Sequence, residues 1–180
     1  QTGTAQTPRQ VFEQLNNADL KFGKIEIEPG RVIDLTHGTF SKCLEHPNRD
    51  VRKTAFHQFY AEFADHAHTL AATLAGSVHR DVYYARARNY PDARALALFP
   101  DRVPAAVYDS LIAAVRAQLP AVHRYFEVRR RALGLDDLHH YDTYVPIVGG
   151  LKSRRPWDEA VHLVVDALRP LGGDYGAALA

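Results

Sequence analysis

The sequence predicts a mainly α-helical fold: a helical bundle organised by one long helix over about residues 49–88, with one small β-hairpin over about 24–35. Three observations lead to this prediction. Apolar residues recur at steps of three and four along most of the chain, which is the spacing of helices with one buried face. A polar–apolar alternation typical of a half-exposed strand occurs only around Lys24–Glu28. The composition, 46% apolar and 24% charged, is that of an ordinary globular protein.

The amino-terminal part is predicted to be a small region of mixed structure over residues 9–46. Residues 1–8 are polar and without periodicity, so we expect a disordered arm there. A short helix over 9–17 follows, because its apolar residues lie at helical spacing.

The hairpin is predicted from two short apolar runs separated by a turn. Pro29-Gly30 supplies turn geometry between Lys24–Glu28 and a returning strand over 32–35. Thr36 then provides a side-chain cap for a helix over about 40–45. An isolated hairpin is marginal in water, so this one has to lie against helices.

The strongest structural signal is the predicted helix over 49–88. About 40 residues correspond to ~60 Å of helix at 1.5 Å per residue, long enough to span a domain. Its apolar stripe consists of Val51, Ala55, Phe56, Phe59, Tyr60, Phe63, Ala67, Leu70, Ala71, Leu74, Val78 and Val82.

Residues 47–180 as a whole are predicted to form one helical lobe, punctuated by prolines. Helices begin near Pro91 and Pro104. Pro120 either breaks the second of these or opens a further helix, and Gly134 ends it.

A non-helical connector over residues 136–150 separates these helices from the last long one. That last helix begins at Ser153 or at Pro156.

Charge and cysteine content exclude several classes of partner. The net charge is +1, so no global attraction to nucleic acid or to an acidic membrane surface is expected. No run of ~18 apolar residues is present, so no membrane span is predicted. The single cysteine, Cys43, excludes an internal disulfide framework and fits a reducing compartment, from which we expect a cytoplasmic location.

The ten histidines do not form a recognisable metal site. A zinc peptidase motif, His-Glu-x-x-His on a helix, is missing, and Glu45-His46 has the two residue types in the wrong order. His57, His68 and His79 share one helix face, but each step of eleven residues is ~16 Å along the axis, too far for one ion. We therefore predict no metal ligand and no catalytic residue in this chain.

Several segments, in consistent order over nearly the whole chain, carry a family resemblance. They are Asp34-Leu35-Thr36-His37-Gly38, Arg49–Phe56, Leu70–Val78, Tyr83–Arg88, Ala97–Pro104 and Leu138-His139-His140-Tyr141-Asp142-Thr143-Tyr144-Val145-Pro146. Together they resemble the oligoendopeptidase F branch of the thimet-type zinc metallopeptidases. One departure is His140, which stands where the resemblance implies an apolar residue such as Met.

The resemblance implies that the chain is an amino-side fragment lying upstream of His-Glu-x-x-His, truncated at both ends. Its implied role is non-catalytic: it forms one wall of the cleft in which a zinc metalloendopeptidase cleaves short peptides. Zn²⁺ would then belong to the full-length parent, and this fragment would bind none. The implied partners are short peptides and the missing downstream catalytic lobe, and we expect the fragment alone to self-associate.

A rival interpretation belongs to a different class of protein. In it the chain is a self-standing helical module that binds peptides or proteins without enzymatic activity. Reading the coding frame past Ala180 for His-Glu-x-x-His with a later Glu distinguishes the two.

Within the chain, the connector is the best candidate for substrate contact. It combines imidazoles and phenols in a non-helical segment, where binding groups concentrate. We therefore predict His140, Tyr141 and Tyr144 as substrate-binding residues. The alternative is that the two tyrosines are buried aromatics with hydrogen-bonded hydroxyls. His37, at the corner after the hairpin, is interpreted as structural rather than substrate-binding.

Overall fold

The computed structural model describes residues 2–148 and 155–173, together with residues 175 and 178. The chain divides into two compact units, Gln1–Ile147 and Val148–Ala180. The first unit contains α1 (Thr2–Gln14), β1 (Lys24–Glu28), β2 (Arg31–Asp34), α2 (His37–Leu44), α3 (Arg49–Asp65), α4 (Ala67–Ala87), α5 (Ala93–Leu98) and α6 (Ala105–Ala132). The second contains α7 (Trp157–Ala167). The predicted fold class, mainly α with one small hairpin, is confirmed.

The amino terminus is helical where the sequence predicted a disordered arm over residues 1–8. Helix α1 begins at Thr2 and continues into a single π-helical turn at Leu15–Asp19. Tertiary contacts with α4 explain the difference. A Cβ on Gly76 would lie 3.1 Å from the ring of Pro8, so the helices approach closely, and Arg80 donates a hydrogen bond to the carbonyl of Ala5 at 3.1 Å.

The predicted hairpin is present, and α3 holds it in place. Strands β1 and β2 pair antiparallel with Ile25 opposite Ile33. Gly30 adopts a φ of 79°, a left-handed conformation that glycine reaches without steric cost. The side-chain amide of Gln58 donates to the carbonyls of Phe22 at 2.6 Å and Lys24 at 3.1 Å, which fixes the hairpin against the helix.

The core of the first unit surrounds Phe59. Its ring stacks against Phe22 at 4.2 Å and against Phe40 at 4.0 Å, so the segment before the hairpin and helix α2 both meet α3 at this ring. The buried cluster comprises Leu15, Leu20, Phe22, Ile25, Leu35, Cys43, Val51, Ala55 and Phe59. The first half of the predicted apolar stripe is therefore the side of α3 that forms the core.

The predicted long helix over 49–88 is interrupted at His66. There the backbone adopts φ −104° and ψ 15°, which separates α3 from α4. The His66 ring supplies the reason. Its Nδ1 lies 2.9 Å from the carbonyl of Glu62, the group that the His66 N–H would bond in a continuous helix, and that N–H bonds Phe63 instead.

Helix α6 runs through Pro120 without ending, contrary to both alternatives considered from the sequence. Gly134, at φ 65°, ends it as predicted, and the N–H of Leu135 bonds the carbonyl of Arg130 in the pattern of a Schellman cap. The apolar stripe of α6 is nevertheless exposed: Leu111 is 62% exposed and Val122 45%. The periodicity located an apolar face of this helix correctly, but no described residue of the first unit covers that face.

The second unit contains helix α7 among its described residues. Helix α7 begins directly after Pro156, one of the two predicted starting points, whereas Ser153 lies outside the described residues.

Replacing Phe59 by Ala should lower the free energy of unfolding of the first unit by about 3–5 kcal/mol, because the substitution leaves a cavity among stacked rings. Phe99→Ala is the matched control, since Phe99 is 63% exposed and its loss should cost less than about 0.5 kcal/mol. Urea unfolding followed by circular dichroism measures both. If the two variants lost equal amounts of unfolding free energy, Phe59 would not lie at the centre of the core.

Candidate functional site

The connector after α6 is anchored by one buried carboxylate, Asp142, whose side chain has no exposed surface. Arg49 donates two hydrogen bonds to it, from Nε to Oδ1 at 3.2 Å and from Nη2 to Oδ2 at 2.9 Å. Arg52 donates from Nη2 to Oδ1 at 2.7 Å. The backbone N–H of His139 donates to Oδ2 at 3.1 Å. The carboxylate therefore joins the start of α3 to the connector.

The arginines also bind backbone carbonyls, so they cross-link the surrounding segments. Arg52, itself 3% exposed, donates to the carbonyl of His46 at 2.8 Å. Arg129, at the end of α6 and 5% exposed, donates to the carbonyl of Asp142 at 3.1 Å and also to that of Val145. We call Asp142, Arg49, Arg52 and Arg129 the arginine–aspartate cluster.

Two opposing effects act on the pKa of Asp142. Burial alone would raise it, but the hydrogen bonds from Arg49, Arg52 and the His139 N–H together hold the pKa below its ordinary value of 3.8. The hydrogen bond with Asp142 in turn raises the pKa of Arg49. The Asp142 side chain is thus a carboxylate at neutral pH, and its hydrogen bonds join the start of α3 to the connector.

The structure places the three predicted substrate-binding residues in different environments. Tyr141 is 5% exposed: its ring stacks on His139 at 5.0 Å and lies 5.5 Å from the guanidinium carbon of Arg49. His140 is exposed, with its ring parallel to that of Phe56 at 6.4 Å. Tyr144 is 64% exposed. The structure thus brings His140 and Tyr144 to the surface and leaves Tyr141 inside.

Two pockets lie on either side of the connector, and His140 and Thr143 border both. The first, which we call the aromatic pocket, has a volume of about 200 Å³ and is lined by Phe40, Ser41, Leu44, Phe56, Tyr60, His140, Thr143 and Tyr144. The second, of about 490 Å³, lies against α6 and is lined by His123, Phe126, Glu127, Arg130, Leu138, His139, His140 and Thr143. The connector is therefore a shared wall between two concave surfaces.

Glu127, in the second pocket, is held as a carboxylate. Hydrogen bonds from Arg130 at 2.9 Å and Arg131 at 2.8 Å lower its pKa to about 2. A carboxylate with so low a pKa is a weak general base at neutral pH, so Glu127 itself is suited to binding rather than to proton transfer.

The corner at His37 is tied together by its own hydrogen bonds. The N–H of Thr39 donates to Thr36 Oγ1 at 3.2 Å, while the N–H of Thr36 donates to Thr39 Oγ1 at 2.8 Å, a reciprocal helix cap. His37 Nε2 lies 3.3 Å from the carbonyl of Asn16, and its ring packs edge-on against Phe22. The local geometry agrees with the structural interpretation of this corner.

Among the residues that the structure describes, no group of three or more His, Cys, Asp or Glu side chains is arranged to hold a metal ion. Likewise, no helix in the described part of the chain is long and apolar enough to cross a membrane.

The arginine–aspartate cluster was missed from the sequence, although one signal for it was available. Arg52 lies between Val51 and Ala55 on the apolar face of α3, and Arg129 lies three residues after Phe126 on α6. A charged residue at a core-facing position needs a buried partner. The sequence does not identify that partner as Asp142, which is 90 residues from Arg52.

Comparison with known proteins gives consistent matches. A model of peptidase family M3 matches residues 43–152. The oligopeptidase PepF of Bacillus subtilis is 40% identical over 169 residues, which are 94% of this chain and 25% of that protein. An oligoendopeptidase F homolog of Lactococcus lactis is 36% identical over 170 residues, again 94% of this chain and 28% of that protein.

A solved structure agrees with the sequence comparisons. The crystal structure of oligoendopeptidase-F from Enterococcus faecium superposes with a TM-score of 0.80 at 36% identity, over 97% of this chain and 33% of that one. The resemblance inferred from the sequence is confirmed. The chain spans about a quarter of the length of these curated relatives.

Replacing Asp142 by Asn should lower the free energy of unfolding by about 3–5 kcal/mol at pH 7, because it leaves the buried Arg52 and the partly exposed Arg49 without their counter-charge. The pKa of Asp142 is depressed, so its contribution is complete above 3.8 and is lost as the pH falls through the folded-state value. The difference between wild type and variant should therefore shrink in acid. Urea unfolding at several pH values measures it.

Asp137→Asn is the control, because the Asp137 side chain is exposed and only its carbonyl binds Arg49. This variant should be within about 0.5 kcal/mol of wild type. An Asp142→Asn variant as stable as the control at pH 7 would mean that the cluster contributes no net stability.

Proposed function

The chain belongs to peptidase family M3, and from that premise we propose that it is the non-catalytic, amino-side part of a zinc metalloendopeptidase that cleaves short peptides. In this proposal it forms one wall of the peptide cleft. The observation that carries the proposal is the alignment of more than nine-tenths of the chain with about a quarter of each oligopeptidase or oligoendopeptidase relative.

The connector supports the role of a cleft wall. His140 and Tyr144 are exposed on it and border a pocket, while Asp142 beneath them is held by three arginines. Groups that recognise a substrate work best when their backbone is fixed before the substrate arrives. A rigid connector with exposed imidazole and phenol groups meets that requirement.

Zinc and the catalytic groups belong, in this proposal, to the remainder of the whole protein. When bound, such an ion supplies an activated water and polarises the peptide carbonyl. The contribution of this chain is to bind and orient peptide. A cytoplasmic location is part of the proposal, supported by the single buried thiol, Cys43.

The exposed apolar faces of α4 and α6 support a large intramolecular partner. Leu74 and Val78 on α4 are 67% and 51% exposed, and Leu111 and Val115 on α6 are 62% and 55% exposed. Apolar patches of this kind mark contact surfaces on soluble proteins. We assign them to contact with a downstream catalytic lobe, and in its absence to contact between copies of this chain.

The proposed function is tested by comparing the peptidase activity of the full-length protein with that of the 180-residue chain. The full-length protein should hydrolyse a fluorescence-quenched short peptide, and a chelator should abolish that activity until zinc is restored. The 180-residue chain alone should show no turnover, because zinc catalysis needs several preorganised protein ligands.

Chelator-sensitive hydrolysis by the 180-residue chain would refute the non-catalytic assignment. If the full-length protein neither hydrolyses the peptide nor binds zinc, the self-standing interaction module would be favoured.

Self-association of the isolated chain should depend on α6. Sedimentation equilibrium at increasing concentration should show dimers or larger species, and Leu111→Glu should shift the distribution toward monomer. Arg116→Glu on the same helix is the control, since Arg116 is exposed and polar. A wild-type chain that stays monomeric throughout would contradict this assignment.

A further inference from the structure

The aromatic pocket has a lining that differs from the rest of the surface. Five of its eight lining residues carry rings: Phe40, Phe56, Tyr60, His140 and Tyr144. The rings of Phe56 and Tyr60 lie 4.6 Å apart, and Leu44, which is 4% exposed, contributes to the floor. None of the described residues that line it is Asp, Glu, Lys or Arg. Such a pocket favours an uncharged, apolar group.

The volume of the pocket matches one side chain. A cavity of about 150 Å³ lined by apolar residues accommodates a benzene ring, and this pocket has about 200 Å³. It therefore admits a phenyl or branched aliphatic group and is too small for a packed helix or a strand. Its occupant is a single side chain of an extended segment.

The rim of the pocket carries polar groups suited to a peptide backbone. Ser41 and Tyr144 are exposed there, and Tyr60 is 48% exposed. Hydroxyls beside an apolar floor can donate to or accept from the amides that flank a bound side chain. The combination of apolar floor and polar rim favours a peptide as the ligand over a lipid or a hydrocarbon.

We propose that the aromatic pocket is a specificity subsite that takes one phenyl or branched aliphatic side chain of a bound peptide, with Tyr144 closing over it. The proposal rests on the proposed function for the source of the peptide. Tyr144 is the residue to test, because it is 64% exposed and its ring can be removed without opening the core.

The first experiment measures binding to the 180-residue chain by NMR titration. The probes are N-acetyl-phenylalanine amide and N-acetyl-leucine amide, with the N-acetyl amides of lysine and glutamate as charged comparisons. The two apolar probes should shift resonances of the pocket residues saturably, with dissociation constants on the order of millimolar for ligands of this size. The charged probes should bind at least about tenfold more weakly.

Three variants test whether the ring of Tyr144 contributes to binding in the aromatic pocket. Tyr144→Ala should weaken binding of the phenylalanine probe about tenfold, and Tyr144→Phe, which keeps the ring, should retain most of it. Tyr83→Ala is the matched control, because Tyr83 lies on α4 and is 66% exposed. Absence of saturable shifts, equal binding of charged probes, or equal loss in Tyr83→Ala would overturn the proposal.

The second experiment uses the full-length protein and separates this proposal from the proposed function. Tyr144→Ala should raise KM about tenfold for a peptide with phenylalanine at the preferred position, with kcat nearly unchanged. A full-length enzyme whose KM is unaffected by Tyr144→Ala would overturn the subsite. A full-length protein that does not hydrolyse the peptide would refute the proposed function. The NMR titration would then decide by itself whether the aromatic pocket binds an apolar side chain.

Discussion

The arrangement of the first unit's surface depends on the hydrogen bonds that Asp142, with its buried carboxylate, makes with arginine side chains. It receives hydrogen bonds from Arg49 and Arg52 at the start of α3, and Arg129 at the end of α6 binds its backbone carbonyl. Arg129 is the one buried residue of the 28 in α6, whose apolar stripe is exposed. The described contacts that position that long helix are therefore charged hydrogen bonds, from Arg129 near its carboxyl end and between Asp109 and Arg94 near its amino end, rather than an apolar interface.

This arrangement has a consequence for the connector. A non-helical segment has unpaired backbone groups, and most loops meet that need with water. Here arginine side chains satisfy the carbonyls of Asp137, Asp142 and Val145. Residues 137–145 of the connector are thereby held in one conformation while His140 and Tyr144 remain exposed. A chain that recognises peptides benefits from this rigidity, because less conformational entropy is lost when the ligand binds.

Local patterns predicted the elements, whereas long-range partners decided the rest. The hairpin, the cap at Thr36 and the helix end at Gly134 depend on neighbouring residues, and all three are present. The helix over residues 2–8 and the interruption at His66 depend on contacts or ring geometry that periodicity does not record. The same limit applies to the site: residue chemistry singled out the connector, but a pairing between positions 52 and 142 has no local signal.

The central claim is that the arginine–aspartate cluster fixes the wall on which a peptide would lie. Hydrogen–deuterium exchange on the 180-residue chain tests it directly when wild type and Asp142→Asn are compared. Amides of residues 139–145 should lose most of their protection in the variant, while those of the hairpin, held by Gln58 and the Phe59 core, should lose no more than the lowered global stability accounts for. Unchanged protection in residues 139–145, or a loss there no greater than in the hairpin, would contradict the account.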